Sequence, residues 1–158
     1  MHEQNPAPYF LFDVICRDAS GSKKWHERVH NLVTTGGKSD LVTQYFTGVN
    51  YTAAWYMGLL GAGSISASDT LASHAGWQEV HLYSGTRPAI VFGAASSGSS
   101  AANTVNFAIS GIATVAGAFI TNASSGTGGV LYSAANFTNL RSVAGGDTLS
   151  VTPTVNVS

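Results

Sequence analysis

YFLFDVICRDASGSKKWHERVHNLVTT, residues Tyr9–Thr35, is the stretch on which the fold turns. From Tyr9 to Arg17, aromatic or branched residues alternate with others, the period of a strand with one buried face. Asp18-Ala-Ser-Gly21 has the composition of a tight turn, and Lys24 to Thr34 can return as the partner strand. This stretch therefore reads as a β-hairpin.

The rest of the chain extends that pattern. Tyr51–Leu60, Trp77–Tyr83, Ala89–Phe92, Val105–Ile109, Ala113–Thr121, Gly129–Tyr132 and Thr148–Val157 read as short strands. Turn residues separate them, among them Gly85, Gly93, Gly98, Gly126 and Gly145-Gly146-Asp147. Two segments suit helix. Lys38–Phe46 follows the interruption at Gly36-Gly37 and spaces Leu41, Val42, Tyr45 and Phe46 on one face, with Ser39 or Asp40 as cap, and Asp69–His74 suits a single turn. Many short strands with one or two short helices indicate an all-β fold, an antiparallel β-sandwich or jelly-roll-like barrel. The expected core includes Trp55 or Tyr56, Phe92, Phe107, Phe119 and Leu131. Ala94–Ala102, AASSGSSAA, suits a flexible loop, and Pro153 inside the last strand suits an edge or a bend.

A chain of 158 residues has the length of one domain, here an N-terminal arm and hairpin (1–35) joined to a β-sandwich body (36–158). Charged residues are only 9 %, and ten of the fifteen formal charges lie in the first forty residues, with none between Arg87 and Arg141. A soluble surface normally mixes charges throughout. The neutral span is thus expected to be shielded by other subunits, in a homo-oligomer, dimer or trimer, whose interface comes mostly from residues 88–140 and includes whichever of Val115 and Ala118 faces outward. A net charge of −1 offers no field for phosphate backbones, so nucleic acid is not an expected partner. Cys16, the single cysteine, reads as a small buried side chain. MHEQNPAPYF has neither a basic nor a long apolar segment, and no stretch is long and apolar enough to span a membrane as a helix, so neither secretion nor a membrane is expected. The glycosylation-type triplets at Asn50, Asn122 and Asn136 read as chance.

His26-Glu27-Arg28-Val29-His30 spells H-E-x-x-H, which on a helix presents two histidines to zinc with a general-base glutamate beside them. Trp25, Val29, Val33, Thr34 and Thr35 favour a strand instead, on which His26, Arg28 and His30 share one face and Glu27 takes the other. The remaining histidines, His2, His74 and His81, are distant in sequence, so a zinc hydrolase is the remote alternative. Asp69, His74 and Glu79 with Ser66, Ser68 and Ser73 spell a hydrolytic set only by composition. Asp69 reads better as a cap, His74 as locally bonded, and Glu79 as the partner of Arg87. Trp25, Trp55, Tyr56, Trp77, Tyr83 and Tyr132 read mainly as core, with a glycan platform as the other use of such rings. No catalytic, cofactor-binding or metal residue is assigned, and the chain is read as a non-enzyme.

His30–Thr35, Tyr51–Tyr56, Asp69–Trp77, Thr86-Arg-Pro88, Arg141-Ser-Val and Gly146–Leu149 together resemble a family of small virion proteins of tailed bacteriophages, labelled capsid decoration, head fibre or tail fibre proteins. The resemblance covers roughly residues 25–158. It implies a place in the virion, synthesis in the host bacterial cytoplasm, and the major capsid protein or other virion subunits as partners. A decoration (cement) protein stabilising the head shell is the leading expectation. A head or tail appendage binding host-surface glycans is the alternative. The charged hairpin is the segment expected to touch the capsid.

Overall fold

The computed structural model describes residues 8–48, 51 and 53–157. Eleven strands and one helix follow in order: β1 Tyr9–Arg17, β2 Lys23–His30, β3 Leu32–Val33, α1 Thr35–Phe46, β4 Trp55–Leu60, β5 Glu79–Val80, β6 Ala89–Ile90, β7 Ser99–Ala101, β8 Val105–Ala108, β9 Ala113–Thr121, β10 Leu131–Val143 and β11 Thr148–Asn156. They form two antiparallel sheets packed as an all-β sandwich. One runs β2-β1-β11-β7 with β8 also on β11; the other runs β3-β10-β9-β4-β5 with β6 also on β4. No helix among the described residues is long and apolar enough to cross a membrane.

The β1–β2 hairpin forms as read. Asp18 Oδ1 accepts from the Ser20 and Ser22 amides at 2.9 and 3.0 Å, which locks the turn. β1 buries every second side chain, Phe10, Phe12, Val14 and Cys16, against the opposite sheet. The return strand is shorter than the expected Lys24–Thr34: it stops at His30, and Leu32–Val33 crosses to pair with β10 in the second sheet. The hairpin is built into the sandwich, because β1 pairs along its whole length with β11, Tyr9 opposite Asn156 through Arg17 opposite Thr148.

β11 is an interior strand, so Pro153 lies at no edge. The Pro153 carbonyl accepts from Ala102 on the β7/β8 side at 2.9 Å, so its nitrogen, which has no hydrogen to give, faces the same side. There β7 pairs with residues 154–156 and β8 with residues 148–151. The proline sits opposite the break between the two short strands, where no ladder bond is forfeited. The AASSGSSAA segment is only partly the expected loop: Ser97 and Gly98 take φ of 49° and 75°, Ser96 and Ser99 exchange backbone bonds at 2.9 and 3.0 Å, and this tight turn leads into the three-residue strand β7.

β9 is buried on both faces. Val115, Ala118 and Ile120 join the core between the sheets, whereas Phe119 faces a second core with Leu60, Leu71, Trp77, Leu131 and Ala134. That second core exists because residues 61–78 fold back over the outside of the six-stranded sheet as a third layer. The segment expected to hold a helical turn at Asp69–His74, and a strand from Trp77, is this cover, with only Glu79–Val80 in strand. Val115 and Ala118 are both fully buried, so neither faces outward as an interface probe. The neutrality of β9 is accounted for within one chain.

Phe107, Phe119 and Leu131 are buried as expected, while Trp55, Tyr56 and Phe92 are half-buried. β4 begins at Trp55, not Tyr51, and Thr52 lies outside the described residues, as do Asn50 and residues 1–7. β6 is two residues long, and β10 runs on to Val143, well past the expected end at Tyr132, with a register shift between Asn136 and Arg141.

Candidate functional site

The H-E-x-x-H residues lie in β2 as extended chain. His26, opposite Ile15, bonds Asp13, and Arg28 lies 3.7 Å from the same carboxylate. Glu27 points the other way, is nearly buried, and accepts from Arg141 of β10 at 3.0 Å. Arg141 in turn covers the Trp25 ring at 4.7 Å. Glutamate and histidines are on opposite faces, which is not the helical zinc geometry. Glu27 fastens the hairpin to β10.

On the outward face of the five-stranded sheet, His26, Ile15, Ser150 and Asn106 form one cross-strand row, and Arg28, Asp13 and Thr152 the next. Ser150 bonds Asn106 at 2.6 Å and Thr152 bonds Thr104 at 2.8 Å. Charges thus gather on the hairpin side, and neutral hydroxyls and amides cover the β11–β8 side.

The Asp69–His74–Glu79 set is not one site. Asp69 accepts from the Ser66 amide and the Trp77 indole at 2.8 and 3.0 Å, and heads no helix. His74 stacks on Trp77 at 3.8 Å and meets its carbonyl oxygen at 3.0 Å. Glu79 takes two bonds from Arg87 at 2.9 and 2.7 Å, the pairing expected from the sequence. Arg87 is buried and also donates to the carbonyls of Ala123 and Gly126, pinning the β9–β10 loop.

A cleft between α1 and the second sheet was not legible in advance. The helix starts earlier than its apolar spacing suggests: Thr34 is the cap, accepting from Gly37 at 3.0 Å, and Gly36-Gly37 form the first turn. A Cβ on Gly37 would lie 2.3 Å from the Tyr132 carbonyl, so a glycine is what allows the helix to start against β10. Thr34 also donates through its hydroxyl to the Leu131 carbonyl and through its amide to that of Tyr132. Only Leu41 of the supposed apolar face packs on the core, whereas Val42, Tyr45 and Phe46 are exposed.

One turn of α1 apart, Asp40 and Gln44 bond at 3.4 Å and face the sheet with Tyr45. Tyr51, Trp55 and Tyr132 complete a cavity of about 260 Å³. Trp55 packs edge-on to Tyr132 at 5.1 Å and donates from its indole to the Tyr51 hydroxyl at 3.3 Å. Burial first, then the charge of Asp40 and the neighbouring Tyr51, push the Tyr132 phenol up to about 12. Asp40 has no cation within ion-pair distance among the described residues. No group of three or more histidine, cysteine or acidic residues with metal-binding spacing occurs among the described residues. No protein-family model matches the chain, and no curated protein matches it.

Proposed function

We propose that this chain is a structural protein of a tailed-bacteriophage virion, a capsid decoration protein that cements the head shell through the outward face of its hairpin sheet. The observation that carries the reading is the distribution of charge on that face. Asp13, Arg17, Lys23, His26 and Arg28 lie together on the first two strands, beside a neutral hydroxyl and amide surface on β11 and β8. A face of this kind gives register through its charges and close contact through its flat neutral part. Repetition over a shell multiplies modest contacts into a large total. The sequence resemblance supplies the setting, with the major capsid protein as partner, and the uncharged span between Arg87 and Arg141 supports a dimer or trimer as the unit that binds.

Quantitative protein composition of purified particles tests this reading. A decoration protein is expected at a copy number comparable with the major capsid protein; its absence from the particle overturns the proposal. Arg28 is two-thirds exposed and loosely paired with Asp13 at 3.7 Å, so Arg28→Gln should cost less than about 1 kcal/mol of stability while weakening attachment to heads. The second reading, a head or tail appendage that touches host glycans, draws on the aromatic cleft beside α1, and it expects far fewer copies.

A further inference from the structure

We infer that the cleft between α1 and the second sheet binds an organic ammonium ion, an alkyl stem ending in a primary amine, between the rings of Tyr45, Tyr51, Trp55 and Tyr132 and the carboxylate of Asp40. Aromatic faces carry negative partial charge and attract cations, most strongly where water is partly excluded. Four such rings line one cavity of about 260 Å³, large enough for an alkylammonium group and too small for an extended chain. Asp40 adds a full negative charge to the same wall, and its only side-chain partner among the described residues is the neutral amide of Gln44 at 3.4 Å. Lys38, two positions away, lies on another side of the helix, where it lines a separate groove with Ser39, Val42 and Thr43.

The remaining polar groups also favour a donor-bearing cation. The Tyr51 hydroxyl already accepts from Trp55, and the Gln44 Oε1 is buried with no hydrogen-bond partner among the described residues. The Tyr132 phenol is raised first by burial and only then by the charge of Asp40, which is consistent with a carboxylate on this wall. A primary ammonium can stack against the rings and give N–H bonds to Asp40. A quaternary ammonium keeps the ring contact and the charge attraction but gives no N–H bond, and a neutral sugar lacks the charge. The source of the amine, a free metabolite or a lysine side chain, shares this chemistry.

The test follows the indole N–H resonance of Trp55 in the full chain during titration with n-butylammonium, acetyl-lysine methylamide, tetramethylammonium and methyl glucoside. The two primary amines should shift it saturably, tetramethylammonium more weakly and the glucoside not at all. Equal binding of both amines points to any alkylammonium, and preference for the lysine compound to a protein side chain; both support the inference. Asp40→Asn should weaken binding by about tenfold, as should added salt by a smaller factor. Tyr45→Ala, on an exposed ring, removes one wall without touching the core and should also weaken it. Response to the glucoside alone, response to neither, or undiminished amine binding in Asp40→Asn overturns the inference.

Discussion

Arg87 ties three parts of the fold together through four side-chain hydrogen bonds. It is buried, forks onto Glu79, donates to two carbonyls of the β9–β10 loop and lies 5.4 Å from the centre of the Phe119 ring. Removing one partner of such a pair strands the other, so Arg87→Ala should cost about 3–5 kcal/mol, measured by urea unfolding. Arg87→Lys, which keeps the charge and loses the fork, should recover part of it. Asp147 works differently. Its carboxylate sits 2.6 Å from Lys24 and accepts from the Ala144 amide, and the lysine, foremost, lowers its pKa. A lowered carboxylate stabilises the fold above its unfolded pKa and loses that contribution as pH falls through the folded value. Lys24 is raised by the same contact, so its share is lost only at strongly alkaline pH. Asp147→Asn should therefore lower the melting temperature at neutral pH and flatten its decline in acid. Glu27→Gln, harmless if the residue only lined a polar strand face, should be destabilising here because Arg141 loses its carboxylate.

The elements differ in how far they could be read from the chain. β1 and β9 were readable with their bounds, and β11 to within one residue, since their own apolar patterns and flanking turns define them. The H-E-x-x-H stretch was readable as strand because β-favouring neighbours surround it. What failed depended on distant partners. Gly36-Gly37 looks like a helix breaker until β10 is placed against it, and Pro153 looks like an edge residue until the break between β7 and β8 is placed opposite. The cleft failed for the same reason. Asp40, Gln44 and Tyr45 have helical spacing that can be seen locally, but no spacing rule brings Tyr132 beside them. Gly37→Ala tests this contact: it should destabilise the protein and disturb the Trp55 environment, detectable as a changed indole resonance, because the helix must move off β10.

At the scale of the molecule, low charge and self-association need separating. The third layer over β9 and the buried state of Val115 and Ala118 explain one part of the neutral span internally. The exposed apolar side chains within residues 88–140, Val91, Ile112 and Leu140, lie outside the β8–β11 row assigned to the capsid and are where we propose a dimer or trimer contact. Ile112→Lys, at an exposed side chain in the β8–β9 loop, should leave the monomer folded and lower its association, measured by sedimentation. A second consequence lies in the order of synthesis. β11 pairs with β1, β7 and β8, yet it follows all three in the chain. While the ribosome is still adding residues, the hairpin's apolar face and two short strands wait without the neighbour that aligns them. This sheet therefore cannot assemble progressively behind the ribosome. Protease resistance of stalled nascent chains should appear abruptly once Thr148–Asn156 has emerged, so a chain truncated before that strand lacks the sheet altogether.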